Sequence, residues 1–192
     1  MSKTLSVQLA PAATPAWLCS TGIVLAASAL VAVCAHIALP LYFTPVPLSM
    51  APFAVLLLGL LLSPRMAAAT LGAYLIEGAL GLPVFAPSPL YGAAHLLGPT
   101  GGYLLAYPAA AALISFLWRR SSRSFTAALA SAAAGNLVIL VCGVLWLAAL
   151  TDASVQALFT LAVLPFLAGD ALKIAAAAGL AVGFQRLRRF SH

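Results

Sequence analysis

The sequence predicts an all-α polytopic membrane protein with six transmembrane helices and Pro- and Gly-rich outer loops. Of its 192 residues, 64% are hydrophobic and only 6% are charged, whereas soluble domains carry about 25% charged residues. The apolar residues form runs long enough to cross a bilayer, which takes ~20 residues per helix. The basic residues lie in short loops beside those runs, a pattern that orients membrane proteins. These features exclude a water-soluble protein.

The chain is predicted to form a single integral membrane domain, residues 1–192, with a polar N-terminal tail at residues 1–16. The six spans are predicted at about 17–39, 48–62, 66–82, 102–118, 124–149 and 166–185. The stretch from Val155 to Phe184 is too long for one span. We therefore expect a short outer helix or a re-entrant segment, ending at Pro165, before the last span.

Positive charges mark one side of the predicted bundle. With six spans, every basic group except Lys173 falls on the same side, and the excess of Lys and Arg in cytoplasmic loops assigns that side to the cytoplasm. These groups are Lys3, Arg65, Arg119, Arg120, Arg123, Arg186, Arg188 and Arg189. Both termini of this multi-pass protein of the cell membrane are therefore expected in the cytoplasm. The net charge of +6 reflects this orientation, and nucleic-acid binding is not expected.

Two irregular loops are expected on the outer face. Pro45 and Pro47 impose an extended path just after Thr44. Further along, prolines at 83, 87, 89 and 99 exclude a continuous helix between residues 81 and 100. Irregular backbone near a membrane persists only where protein or water satisfies its polar groups. We therefore expect these loops to form a lid or the walls of a pocket.

Asp170 and Lys173 are the most informative residues, because they place two charges inside the last apolar run. Residues three apart lie on one helix face, and charges at membrane depth face a cavity or a partner within the bundle. Counting back from Arg186 puts the pair in the outer half of the membrane. One interpretation is a pocket where Lys173 meets a ligand carboxylate and Asp170 neutralises the empty site. The other is an internal ion pair that joins two helices.

Three further polar residues interrupt the apolar helices. Glu77 has no partner nearby in sequence, so it is protonated, bonded to a neighbouring helix, or part of the cavity that holds Lys173; the cavity is preferred. Tyr74 lies three residues earlier, on the same face. Asn136 either bonds across helices, which is preferred, or reaches the cavity.

No cofactor or metal is expected. The Gly-rich run at 98–102 precedes a helix, but no Gly-Lys-Ser/Thr follows it, which excludes an ATP site of the P-loop type. An intramembrane enzyme built on Glu77, His36 and His95 is an alternative hypothesis from a different class. It is the weaker one, because these residues lack HExxH or any other recognisable metal-ligand spacing.

Four short segments resemble, in the same order, the BioY family, the biotin-capturing S subunits of energy-coupling factor (ECF) transporters. They are 44–48 (Thr-Pro-Val-Pro-Leu), 81–85 (Gly-Leu-Pro-Val-Phe), 98–104 (Gly-Pro-Thr-Gly-Gly-Tyr-Leu) and 165–173 (Pro-Phe-Leu-Ala-Gly-Asp-Ala-Leu-Lys). The resemblance implies a six-helix protein that binds biotin in an outward-opening cavity capped by loops. It also implies partners that drive import, a transmembrane coupling (T) subunit and two ABC-type ATPases, so the chain itself is not an enzyme. An S subunit for another small vitamin is the alternative within this class.

By position, the resemblance assigns the region of the valeryl carboxylate to Lys173 and Asp170. The Thr44–Pro45 loop and the segment up to Tyr103 would cover the ring system. Many relatives have a basic residue, commonly Arg, before the Leu-Leu-Gly-Pro-Thr-Gly-Gly run; here it is His95, and histidine is mostly neutral at pH 7. Candidate partners for the ureido ring, by chemistry and predicted location, are Tyr74, Glu77, Tyr91 and Asn136. The predicted substrate-binding residues are Asp170, Lys173, Thr44, Pro45, Tyr74, Glu77, Phe85, Tyr91, His95 and Asn136.

Overall fold

Helices make up most of the structure, a computed structural model that describes residues 16–190. Its helices are α1 (Ala16–His36), α2 (Ala51–Leu61), α3 (Pro64–Ala79), α4 (Ala93–Leu97), α5 (Gly101–Arg120), α6 (Phe125–Leu150), α7 (Val155–Ala162) and α8 (Leu164–Phe190). Two short strands, β1 (Ala38–Leu39) and β2 (Leu48–Ser49), pair antiparallel. Of the predicted polar tail at residues 1–16, only Ala16 is described.

Within the described range, four helices are long and apolar enough to cross a membrane. These segments are Trp17–His36, Gly101–Arg120, Phe125–Leu150 and Leu164–Leu187. The helices α2 and α3 have 11 and 16 residues, or roughly 17 and 24 Å at 1.5 Å per residue. Both are shorter than the ~30 Å hydrocarbon core of a bilayer. The fold is therefore all-helical apart from one small ladder, and four of the six predicted spans are helices of full spanning length.

The first helix ends earlier, and the second begins later, than the sequence predicted. α1 stops at His36 because β1 and β2 pair across the loop that joins α1 to α2. Pro40 disfavours helical geometry in the residue before it, Leu39, which instead lies in β1. α2 consequently begins at Ala51 rather than at residue 48. Pro52 lies in its first turn, where the missing N–H is not needed.

The outer connections also differ in detail from the prediction. α3 ends at Ala79 rather than at residue 82, and Gly81 follows with a left-handed φ of 94° that suits the end of a helix. The stretch predicted to be irregular from 81 to 100 contains the short helix α4, which begins after Pro89. Between α6 and α8, α7 occupies the segment expected before Pro165, and this proline lies in the first turn of α8.

The central helix of the bundle is α5. Most of it is buried, and it packs against α2, α3 and α6, while α1 covers α2 and α3 and α8 covers α2 and α6. Its N-terminal end approaches α6 closely at Gly102. A Cβ at that position would overlap the side chain of Trp146 and lie 2.6 Å from the carbonyl oxygen of Cys142. The missing side chain therefore fixes the distance between two helices that border the candidate site.

We expect Gly102→Ala to lower the stability of the purified protein by about 1–3 kcal/mol, because the added methyl group overpacks a rigid contact. The measurement is thermal unfolding in detergent, followed by circular dichroism. Gly179→Ala on α8 is the matched control, since a Cβ there meets nothing within 4 Å. It should leave stability unchanged or raise it slightly through helix propensity. Equal effects of the two substitutions would contradict the close approach of α5 and α6.

Candidate ligand-binding site

A cavity of about 620 Å³, counting the space at its mouth, lies among α2, α3, α5, α6 and α8, beside the loop that follows α1. Its walls are mostly apolar, with a small number of polar side chains. These are Ser49, Tyr74, His95, Thr100, Tyr103, Tyr107, Asn136, Asp170 and Lys173.

A buried network of three side chains occupies one wall of this cavity. Lys173 Nζ lies 3.2 Å from Asp170 Oδ1, and Asn136 Nδ2 donates to Asp170 Oδ2 at 3.0 Å. The residues Asp170 and Lys173 are only 5% and 6% exposed. Both oxygens of the Asp170 carboxylate are thus bonded, one by Asn136 of α6 and the other by Lys173 of the same helix, α8. The Lys173 ammonium has three donors, and among residues 16–190 only Asp170 accepts from it. It therefore has capacity for an anion.

This network accommodates both sequence interpretations of the charged pair. The ion pair is internal, and its amide contact joins α6 to α8, but the same residues line the cavity. Asn136, which was expected to bond across helices, does so and also faces the cavity. Charged groups in apolar surroundings are stabilised only when they are paired and hydrogen-bonded. The arrangement meets that condition without using every donor of the lysine.

Aromatic side chains form a second polar region of the cavity. Tyr74 is fully buried, and its ring packs edge-on against Phe85 at 5.3 Å and stacks with Tyr107 at 6.4 Å. Its hydroxyl finds no hydrogen-bond partner in the described part of the chain. A buried hydroxyl without a partner is costly, and one that lines a cavity can be satisfied by a ligand. Tyr74 is therefore positioned to bond a polar group of a bound molecule.

Of the two cavity tyrosines of α5, Tyr107 was missed by the sequence analysis, and Tyr103 was named only as the end of the segment expected to cover the ring system. Tyr103 and Tyr107 both line the cavity, and the Tyr103 hydroxyl donates to the carbonyl oxygen of Ala162 at 3.0 Å, which ties α5 to the end of α7. The signal was present in their spacing, because residues four apart lie on one helix face. Phe166, which packs near Tyr103, was likewise quoted only as part of a motif.

His95 borders three adjoining cavities. It is buried, its ring packs against Phe85 at 4.9 Å, and its Nδ1 lies 3.1 Å from the carbonyl oxygen of Leu90. A carbonyl oxygen only accepts, so Nδ1 carries the proton of this bond and Nε2 of the neutral ring is an acceptor. His95 is shared by the main cavity and two outer cavities of about 580 and 690 Å³. It therefore stands at the entrance.

The other predicted loop residues line those outer cavities instead of the main one. Thr44 and Pro45 border the first, together with His95. Phe85 and Tyr91 border the second, and Tyr91 is 74% exposed. These four residues thus lie near the mouth of the main cavity, while Tyr74, Asn136, Asp170 and Lys173 line its interior.

Glu77 is a predicted site residue that does not line the cavity. Its carboxylate accepts a hydrogen bond from Ser28 of α1, and it is not among the residues that line the cavity. The preferred sequence interpretation, a cavity position, is corrected to pairing between helices. The cause is the position of α1, which packs on α3 and meets this part of the helix. His36 and His95 border the same outer cavity, but no group of three metal-ligand side chains forms anywhere in residues 16–190.

The fold and the candidate site define a helical membrane protein with a mostly apolar cavity, one wall of which holds a buried ion pair. A model of the BioY family matches residues 9–190. The chain belongs to the BioY family, which confirms the resemblance drawn from its four segments.

Several curated relatives and a solved structure are similar to this chain. The probable biotin transporter BioY of Pyrococcus horikoshii is 42% identical, and the match covers 73% of this chain and 82% of the relative. The biotin transporter BioY of Thermotoga maritima is 34% identical, over 83% of this chain and 92% of the relative. The S-component for biotin from an ECF-type ABC transporter superposes with a TM-score of 0.80 at 23% identity, covering 88% of this chain and 92% of that one. This last similarity shows a shared fold.

A double-mutant cycle tests the buried ion pair. Lys173→Met should cost about 3–5 kcal/mol, because it leaves the Asp170 carboxylate buried with only an amide donor. Asp170→Asn should also destabilise, since it leaves the ammonium unpaired. The double variant should be more stable than the sum of the two losses predicts, because no uncompensated charge remains. Unfolding in detergent by circular dichroism gives all four values. Strictly additive losses would contradict a coupled pair.

Proposed function

We propose that this protein binds biotin from the outer side of the cytoplasmic membrane and is the substrate-specific S subunit of an ATP-driven ECF transporter. The observation that carries the proposal is the buried Lys173–Asp170–Asn136 network in the wall of an otherwise apolar cavity. This network occurs in a member of the BioY family whose relatives are named biotin transporters.

The chemistry of biotin matches the cavity part by part. Biotin has one carboxylate, an apolar chain with a thioether ring, and a ureido group with donors and acceptors. The carboxylate would take the unused donors of Lys173, while Asp170 neutralises that lysine in the empty protein. The apolar walls would hold the chain and the thioether. The Tyr74 hydroxyl would bond the ureido group, and Tyr107 would pack beside it.

The outer loops would close over the bound vitamin. Thr44, Pro45, Phe85 and Tyr91 border the adjoining outer cavities, and His95 is shared between these and the main one. A neutral histidine with Nε2 as acceptor would contact a donor of the ligand or a water molecule at the entrance. A relative with arginine at this position would offer only donors. His95 would therefore recognise the ligand differently from such relatives.

The proposed topology has six spans and both termini in the cytoplasm. In this arrangement α2 and α3 are short spans, and the strands and loops at the outer end complete the distance that α2 does not cover. Support comes from the basic residues, since Arg65 lies in the first turn of α3, Arg119 in the last turn of α5 and Arg186 near the end of α8. The positive-inside rule places this end of the bundle in the cytoplasm.

The proposed partners are a transmembrane T subunit and two ABC-type ATPases. Uphill import needs an energy source, and the sequence has no P-loop motif of its own. Small residues on α1 support a docking role. Gly22 and Ala26, four residues apart on one face of α1, are exposed, whereas Ser28 is buried and bonded to Glu77. Small residues spaced by four let helices approach closely in lipid.

The principal test is calorimetric titration of the purified protein with biotin. We expect one-to-one binding, and Lys173→Ala should weaken it by about 10- to 100-fold, the range for a hydrogen bond to a charged group. Lys3→Ala is the matched control, because Lys3 is the only other lysine of the sequence and lies in the predicted N-terminal tail. Competition by thiamine or riboflavin would indicate an S subunit for another vitamin. Folded protein that binds no biotin would refute the proposal.

A conservative change tests the aromatic end of the cavity separately. Tyr74→Phe keeps the ring contacts and removes only the unpartnered hydroxyl. The expected result is slightly higher thermal stability without ligand and a biotin affinity about 5- to 10-fold lower, corresponding to one neutral hydrogen bond. Thermal unfolding with and without biotin measures both quantities. An unchanged affinity would place the ureido group elsewhere.

A further inference from the structure

A second polar cavity lies at the opposite end of the bundle from the ligand site, where α2 and α5 end and α8 approaches its end. Its volume is about 640 Å³. The lining residues used below are Leu61 of α2, Trp118 and Arg119 of α5, Arg123 of the following turn, and Phe184 and Gln185 of α8. We call this the Arg cavity. The proposed function assigns no role to it.

The Arg cavity has an excess of positive charge with no carboxylate nearby. The chain has three acidic residues, Glu77, Asp152 and Asp170, and none of them lines this cavity. Roughly 22 Å of helix separate Asp170 from Gln185 at ~1.5 Å per residue. The ion pair found across residues 16–190 is the distant Lys173–Asp170 contact. The two guanidinium groups of the Arg cavity are therefore not neutralised by acidic side chains.

The polar groups of the Arg cavity are mainly donors. Arg119 donates from Nε to Ser115 Oγ at 3.4 Å, and the Arg123 guanidinium lies 5.9 Å from the centre of the Trp118 ring. Trp118 is only 2% exposed, and its indole N–H has no acceptor in the described range. Guanidinium and indole groups cannot accept hydrogen bonds. A ligand with several acceptor oxygens and a negative charge would satisfy all three.

The surroundings favour a lipid over a soluble anion. The Arg cavity lies at the ends of helices whose outer surfaces are apolar, with Leu61, Leu180 and Phe184 all exposed beside it. Acyl chains can cover such a surface, which a free anion would leave uncovered. Basic pockets between membrane helices suit anionic headgroups. A zwitterionic headgroup adds an ammonium that two guanidinium groups would repel. We propose that the Arg cavity binds the phosphodiester headgroup of an anionic phospholipid, whose chains run along α2 and α8.

The test is lipid binding to the full-length protein in detergent, measured by native mass spectrometry and by thermal stabilisation. Phosphatidylglycerol is compared with phosphatidylcholine carrying the same acyl chains, and with inorganic phosphate. Arg119→Gln and Arg123→Gln should each weaken phosphatidylglycerol binding by about tenfold or more, as expected for charged hydrogen bonds. Arg120→Gln is the matched control, because it removes the same charge from a side chain that stacks on Phe116 instead. If the lipid is instead held only by general attraction to a positive surface, each of the three variants should lower phosphatidylglycerol affinity by about fivefold.

Trp118→Phe adds a test that changes no charge. It removes the indole N–H and should also lower phosphatidylglycerol affinity, with retained biotin binding as the check that the variant is folded. The proposal is overturned if Arg119→Gln and Arg123→Gln weaken binding no more than Arg120→Gln. It is also overturned if phosphatidylcholine or inorganic phosphate stabilises the protein as strongly as phosphatidylglycerol. Stronger binding of an acidic peptide than of phosphatidylglycerol would assign the Arg cavity to a protein partner and reject the lipid.

Discussion

The interaction on which the candidate site depends is the hydrogen-bonded ion pair of Lys173 and Asp170 in an apolar helix bundle. An ammonium at this depth is stable only with a close acceptor, and a carboxylate there needs donors on both oxygens. Asn136 supplies the second donor from α6, so the distance between α6 and α8 is set by this contact. The same geometry leaves two donors of Lys173 without an acceptor in residues 16–190. The network is thus stable when empty and still able to bind an anion.

The shape of the cavity depends on close helix contacts elsewhere. Gly102 allows α5 to approach α6, and Gly143 of α6 lies flat against the ring of Tyr103. Without these contacts, the tyrosine face of α5 would stand further from α8. Tyr103 also bonds the last turn of α7, so the outer helix is connected to the cavity wall. Small residues therefore shape the cavity indirectly, because they leave room for aromatic side chains to pack at its wall.

The sequence predicted best the features with a large energetic cost. Charged residues in an apolar run must be paired or solvated, so Asp170 and Lys173 indicated the candidate site, and clustered prolines indicated the irregular loops beside it. It predicted poorly which face of an apolar helix points inward. In lipid both faces are hydrophobic, so periodicity does not distinguish them; for this reason Glu77 was placed in the cavity and Tyr107 was overlooked. The end of α1 was missed because β1 and β2 have two residues each, too few to show the alternating pattern of a strand.

The two ends of the bundle use charge in different ways. At the end with the candidate site, Asp170 and Lys173 neutralise each other, and Glu77 bonds a serine of α1. At the other end, arginines stand without acidic side chains, and Arg120 and Arg123 rest on aromatic rings. Rings hold a guanidinium in place without cancelling its charge. Positive charge is therefore concentrated without acidic partners at one end of the bundle, whereas the lysine at the end with the candidate site is neutralised by its neighbour.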